Sequence, residues 1–263
     1  MTTRASRSGP ASRPTGERVT TREGGFNPTY QRHAAAYARA AEVLPRNGRV
    51  LDVGAGTGHS AALLAPRESV AVDVDPDALT GQGRLSAVAD MRALPFPDAS
   101  FASAVSIQSI EHVPDPDRAL AEMARVLAPG GVAVIVTPNR LTFGRPDEII
   151  DPYHYVELDA EQLRALCARH FTSVELRGLF GSDRYLALVA AEHARLDALL
   201  RRDPLRLRRL VPRRARQALY DRLLARARTA RKAVANRQPR LAAASSEMPA
   251  GTATRLVCSQ DRL

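Results

Sequence analysis

Residues 50–64 read VLDVGAGTGHSAALL. A short apolar run carries an acid at Asp52, turns through Gly54, Gly56 and Gly58, and opens into an Ala/Leu-rich stretch that predicts a helix through Leu64. Such a strand–turn–helix unit brings bare backbone close to a ligand, because glycine has no β-carbon to block the approach and accepts φ > 0 in a tight turn. The spacing carries as much information as the glycines. A dinucleotide fingerprint needs G-x-G-x-x-G, whereas the third glycine here comes one residue early.

A loop of this kind needs an acid at the end of the following strand, about 20 residues on, to accept hydrogen bonds from a ribose diol. Asp73, in VAVDVDP (70–76), stands nineteen residues after Gly54 and is followed by Val74. A carboxylate accepts from both hydroxyls more strongly than a neutral amide would. Asp75 comes later than the strand end, and Asp77 reads as a helix-start residue.

The flanking pattern is strand alternating with helix, which implies βαβ units and a parallel sheet. Residues 28–43 predict a helix with a stripe at Tyr30, Ala34, Tyr37 and Ala41. Strands are expected at 49–53, 69–74, 86–89, 101–107 and 132–137, with helices from 76 and over 116–127. Beyond Pro138 an irregular loop precedes a helix over 159–170, N-capped by Asp159, and a strand at 171–176. Helices at 184–200 and 212–235 follow, and ATRLVCSQ (253–260) reads as a last strand antiparallel to its neighbour.

Charge divides the chain unevenly. The net charge of +10 is more than supplied by residues 201–240, with 15 basic and 2 acidic groups, while residues 26–200 are net acidic, with 16 against 22. Only Lys232 among the 38 basic residues is a lysine, so arginine itself is a compositional bias and not a mark of phosphate forks. Residues 1–25 lack an apolar core and read as a disordered tail. No apolar run approaches the ~18 residues of a membrane span, and Cys167 and Cys258 are too few for a disulfide framework. These features predict a cytoplasmic protein, peripheral at the membrane if the basic segment docks there.

The stretches VADMRALPFPDASFASAVS (88–106) and IEHVPDPDRALAEMARVLAPGGVAVIVTPN (110–139) complete the pattern. With the glycine turn they resemble the small-molecule class I S-adenosylmethionine (SAM)-dependent methyltransferases typified by quinone-biosynthesis enzymes. The resemblance covers about residues 48–140. It implies a Rossmann-like α/β fold, a mainly parallel seven-stranded sheet in the order 3-2-1-4-5-7-6 with helices on both faces. Residues 26–181 would form the SAM-binding core, 182–250 an Arg-rich helical insertion or lid, and 251–263 the closing strand and tail. The resemblance further implies that Asp90 bonds the adenine amino group and Met91 packs on the ring. Asp52 with the turn backbone (Gly54, Ala55, Gly56, Gly58) would hold the methionine end, Asp73 and Val74 the ribose side, and Ser106 and Ile107 would line the fourth-strand side. S-adenosylhomocysteine (SAH) would be the product.

Some quinone O-methyltransferases carry E-x-x-E-H here, with both acids and the histidine proposed to hold a metal. This chain has Q-S-I-E-H, and the Gln108 amide is a weak ligand for a hard cation, so no metal is expected. Glu111 and His112 are read as orienting the cofactor loop or capping the following helix.

The acceptor side falls to TPNRLTFGRPDEIIDPYHYVEL (137–158), since ligands of a parallel sheet sit beyond the carboxyl ends of its strands. Asn139 and Tyr153 are candidate substrate contacts, as are Tyr30 and His33 of the first helix. His154 is the candidate general base, because an ordinary imidazole pKa suits taking a hydroxyl proton near neutrality. The expected reaction is methyl transfer to a hydroxyl of a secondary metabolite, quinone, sugar or lipid-linked acceptor. The rivals are an RNA methyltransferase gripping through 201–240 and an NAD(P) oxidoreductase. In the basic segment Ala218, Leu219, Leu223, Leu224 and Ala227 form an apolar stripe among arginines, which suits an anionic membrane or acidic partner. Nucleic acid is disfavoured, because Tyr220 is its one aromatic residue.

Overall fold

The computed structural model describes residues 28–142, 148–203, 205–222 and 252–259. The expected tail at 1–25 and the basic segment beyond residue 222 lie outside them, including Leu223, Leu224 and Ala227 of the stripe.

Seven strands form one sheet: β1 (Val50–Val53), β2 (Ser69–Asp73), β3 (Ser86–Val88), β4 (Phe101–Ile107), β5 (Leu127–Val136), β6 (Ser173–Phe180) and β7 (Thr252–Ser259). Their order is β3-β2-β1-β4-β5-β7-β6, as expected. The first five pair in parallel, and β7 lies antiparallel between β5 and β6. β1 is buried along its whole length and β4 nearly so, which is why both read as continuous apolar runs rather than alternating ones.

Alternate side chains of each central strand serve opposite faces. Leu51, Ala104 and Ile135 pack with Leu120 and Met123 of α3 (Pro116–Val126) and Leu163 of α4 (Ala160–Cys167). Val50, Val105 and Val134 pack with Ala36, Tyr37 and Ala40 of α1 (Pro28–Val43). Helices therefore cover both faces. Asp115 caps α3 by accepting from the Arg118 N–H, and Asp159 with Gln162 forms a capping box on α4.

Several boundaries differ from expectation. The stretch after the glycine turn makes one 3-10 turn, Ala61–Leu64, because Ala65 must turn extended ahead of Pro66. Another one-turn helix, α2 (Pro76–Leu79), stops at an extended Thr80. β5 starts at Leu127, absorbing the Pro129–Gly131 stretch. On α1 the buried set is Tyr30, Ala36, Tyr37 and Ala40, with Ala34 and Ala41 half-buried. Between β6 and β7 come α5 (Asp183–Leu200), a 3-10 turn at Leu207–Leu210, and α6 at 213–222, which is the described part of the helix expected over 212–235.

Candidate active site

A cleft of about 340 Å³ opens beyond the carboxyl ends of β1 to β4. It lies where the strand order reverses, between β1 and β4, the crevice in which open α/β sheets bind ligands. The three glycines of the turn all have positive φ, +72° at Gly54, +51° at Gly56 and +68° at Gly58, but they serve different ends. A β-carbon on Gly54 would sit 2.4 Å from Ser109 Oγ, and one on Gly58 would sit 2.4 Å from Gln82 Oε1. At Gly56 it would meet nothing within 4 Å, and Gly56 lines the cleft. Gly54 and Gly56 both line the cleft, but only Gly56 has open space beside its backbone; a side chain at Gly54 would strike Ser109, and one at Gly58 would have to displace the Gln82 amide.

Asp73 faces the same cleft and is fixed from behind. Its Oδ2 accepts the Gly56 N–H at 2.8 Å and its Oδ1 accepts the Asp75 N–H at 3.0 Å. Each oxygen keeps acceptor capacity for a vicinal diol. Val74, Asp90, Met91 and His112 also line the cleft. Asp90 carries an unexpected partner: Arg92 Nη2 donates to its Oδ2 at 2.6 Å and Nε bonds both oxygens. That guanidinium holds the Asp90 carboxyl below the usual carboxylate range.

Five of the expected cofactor residues do not line this cleft. Asp52 is fully buried, paired with Arg84 at 2.8 Å and accepting from Tyr37 Oη at 2.8 Å. Burial pushes its pKa up against the opposing pull of Arg84 and Tyr37. Ala55 packs with Ala71 and Leu79, and Gly58 is covered by Gln82. Ser106 and Ile107 are buried inside β4, so the wall on that side begins one residue later, at Gln108 and Ser109.

Of the α1 candidates, the Tyr30 ring lies 5.2 Å from that of His59, and the His33 ring lies 5.5 Å from it. Burial, then the Arg32 charge, pushes the His33 imidazole down to about 3, so it stays neutral, with Nδ1 donating to the Thr29 carbonyl. Neither residue lines the cleft. On the acceptor-side loop, Asn139 and Tyr153 do not line the cleft either. Asn139 Oδ1 accepts the Leu141 N–H, and Tyr153 Oη donates to Asp221 at 2.5 Å. Tyr155 supplies the wall instead, with the Arg213 guanidinium 3.4 Å above its ring.

His154 does not itself line the cleft; it is buried, next in sequence to Tyr155 and packed against His112, which do. Its Nδ1 bonds Glu157 Oε1 at 2.7 Å, which, with a carboxylate as partner, makes Nδ1 the protonated nitrogen of the neutral ring. Its ring meets that of His112 edge-on at 5.0 Å. Burial lowers the His154 pKa, but the Glu157 hydrogen bond and the charges of Glu111, Asp151 and Glu157 outweigh it, leaving the group above the ordinary imidazole value. Glu111 is buried and accepts from Thr137 Oγ1 at 3.0 Å, and His112 Nδ1 faces the Tyr153 carbonyl at 3.3 Å. Donor atoms of Glu111, His112 and His154 all lie within 4.8 Å of one another. Two imidazoles and a carboxylate thus come together, a donor set of a kind that can take a proton or a divalent cation.

Sequence reasoning missed Arg92 and Ser109, placed Tyr155 on the acceptor-side loop without a role, and saw Gln108 only as a poor metal ligand. Gln108 has φ +53°, a strained conformation for a side-chain-bearing residue, and its buried Nε2 has no hydrogen-bond partner among the described residues. Nothing local in Q-S-I-E-H announces that backbone.

Residues 51–135 match the family model described as Methyltransferase domain. A probable S-adenosylmethionine-dependent methyltransferase of Mycobacterium tuberculosis is 39% identical over 165 residues, 59% of this chain and 60% of that protein. A phosphatidylethanolamine N-methyltransferase of Cereibacter sphaeroides is 38% identical over 109 residues, 37% of this chain and 54% of that protein. The chain thus spans about three-fifths or less of the length of these curated relatives. Among solved structures, the [4+2]-cyclase SpnF superposes with a TM-score of 0.57 at 20% identity, over 96% of this chain and 88% of that one. That likeness concerns the fold alone, since one fold hosts many chemistries. The matched domain and the curated relatives agree that residues 51–135 form a SAM-dependent methyltransferase domain, for which SAM is the cofactor.

Proposed function

We propose that the protein transfers the SAM methyl group to a hydroxyl of a small-molecule acceptor, with His154 as general base oriented by Glu157. The observation that carries this reading is the His154–Glu157 pair, 2.7 Å apart, set against His112 on the cleft wall. Asp73 would bind the ribose, and Asp90 with Met91 the adenine. Arg92 must then share or release Asp90 when the adenine amino group arrives.

The reaction is an in-line displacement. The acceptor oxygen forms a bond to the methyl carbon, the carbon–sulfur bond breaks with its electron pair left on sulfur, and the sulfonium charge is neutralised. The hydroxyl proton passes to imidazole. Because charge is lost on the cofactor, a dry cleft and a fixed line of attack supply much of the acceleration. Glu157 stabilises the imidazolium that forms.

The name of the Cereibacter sphaeroides relative concerns a lipid acceptor and methyl transfer to nitrogen. It supports a lipid-linked acceptor within the same reading, with the acceptor atom decided by experiment. RNA as acceptor is disfavoured, because Tyr220 is packed against Tyr153, ring centroids 6.2 Å apart, rather than displayed for base stacking. The test is single-turnover methyl transfer from labelled SAM to a panel of hydroxyl-bearing and amine-bearing lipids and quinols. His154→Asn should slow the hydroxyl reaction by about 10²–10⁴-fold and leave SAH affinity unchanged. A wild-type rate in that variant would remove His154 from the chemistry.

A further inference from the structure

We propose that the outward side of residues 205–222 is a docking surface for an anionic lipid bilayer. Leu205 and Leu210 are 79% and 81% exposed, with Leu207, Leu219 and Val211 also exposed. Leu207 and Leu210 begin and end the 3-10 turn, and residues three apart eclipse in that geometry, so the two leucines project from one edge. On α6, Ala215, Leu219 and Arg222 repeat at helical spacing and are all exposed, with Arg214 and Ala218 beside them.

The opposite side of α6 is already committed. Arg213 Nε and Nη2 donate to the carbonyls of Pro152 and Tyr153, Gln217 Nε2 donates to the Pro152 carbonyl, and Tyr220 packs on Tyr153. The helix is thus seated by one face on the loop that carries His154 and Tyr155, and its apolar and basic face points the other way.

Charge selects the partner. Residues 201–222 hold nine arginines against Asp203 and Asp221. Both acids are spent internally, Asp203 on Arg208 and Asp221 on the Tyr153 hydroxyl. Glu148 takes Arg208 and Arg209. Exposed Arg201, Arg202, Arg214 and Arg222 flank and interrupt the leucines along the sequence. Leucines interleaved with arginines match an anionic interface, where apolar side chains enter the acyl boundary and cations near the surface are drawn to the lipid charge. A polyanion such as RNA would use the arginines and leave the leucines in water.

Docking itself does not depend on methyl transfer. Its consequence, that a bilayer-resident acceptor enters beside Tyr155, rests on the function proposed above. The experiment is co-sedimentation of the full chain with phosphatidylcholine vesicles, with and without phosphatidylglycerol, at physiological salt. Binding is expected only with phosphatidylglycerol. The double variant Leu207→Glu, Leu210→Glu should weaken it by about tenfold or more, with an unchanged circular dichroism spectrum and unchanged SAH affinity. No binding to the anionic vesicles, equal binding by the leucine variant, or displacement from them by single-stranded RNA at equal charge concentration would overturn the proposal. SAH titration reads the cofactor site separately, so failure of docking and failure of the methyltransferase reading are distinguishable.

Discussion

Tyr37 Oη donates a 2.8 Å hydrogen bond to Asp52 Oδ1, and both residues are buried. This bond ties α1, which covers one face of the sheet, to the central strand beneath the cleft. Asp52 is the acid of the glycine motif, yet its carboxylate is committed to Tyr37 and to Arg84 rather than to the cleft.

Tyr37→Phe therefore tests a structural role. Removing a hydrogen bond to a charged group costs about 1.5–3 kcal/mol, and here it leaves a buried carboxylate with Arg84 as its remaining partner. The urea midpoint of unfolding should fall by the corresponding amount, with SAH affinity close to wild type. A large loss of SAH affinity at unchanged stability would return Asp52 to the cofactor site.

Asp73→Ala tests the ribose contact. The carboxylate is preset by two backbone N–H groups, from Gly56 and Asp75, so its orientation costs nothing further on binding. Calorimetric SAH affinity should drop by about 1.5–3 kcal/mol, the range for charge-assisted hydrogen bonds. Unchanged affinity would show that the diol is held elsewhere.

The glycine turn and the spacing to Asp73 were legible in the chain because they are local: a strand end, a tight turn and the next strand end follow one another by rule. The parallel sheet was legible through the alternation of strands and helices, and its strand order through the family resemblance. Residues whose roles depend on distant partners were not. Arg84 reaches Asp52 from the loop before β3, and Arg92 covers Asp90 from two residues away without any spacing rule that demands it. His154 was singled out for its chemistry alone, and its partner Glu157 became visible only in the folded loop, which sets the ring against His112.

Gly54→Ala and Gly56→Ala separate packing from ligand approach. Both positions have positive φ, which costs a side-chain-bearing residue about 1–2 kcal/mol. Only at Gly54 does the new β-carbon also strike Ser109, at 2.4 Å. Thermal unfolding should show Gly54→Ala as the less stable variant, with partial rescue by Ser109→Gly. Gly56→Ala should keep most of its stability and lose SAH affinity, since its methyl enters the cleft. The reverse ranking in a paired melting and titration experiment would invert the two roles.

The pH dependence follows from the His154 environment. A general base must be neutral, and the carboxylates around His154 hold its pKa above the ordinary 6.5 despite burial. The acid limb of kcat/KM should therefore have its midpoint above 6.5, with activity rising as the imidazole loses its proton. The sign for stability is opposite: a raised folded pKa favours the folded state fully below 6.5, and that contribution fades as pH climbs through the folded value. Glu157→Gln removes the strongest upward influence and leaves desolvation in place, so the acid limb should move to lower pH and the rate at its plateau should fall. A chelator arm distinguishes proton from cation at Glu111, His112 and His154. Acid–base chemistry predicts full activity after EDTA treatment. Loss restored by a divalent ion would mean that the same three groups act as ligands and that the pH limb reports their deprotonation on binding.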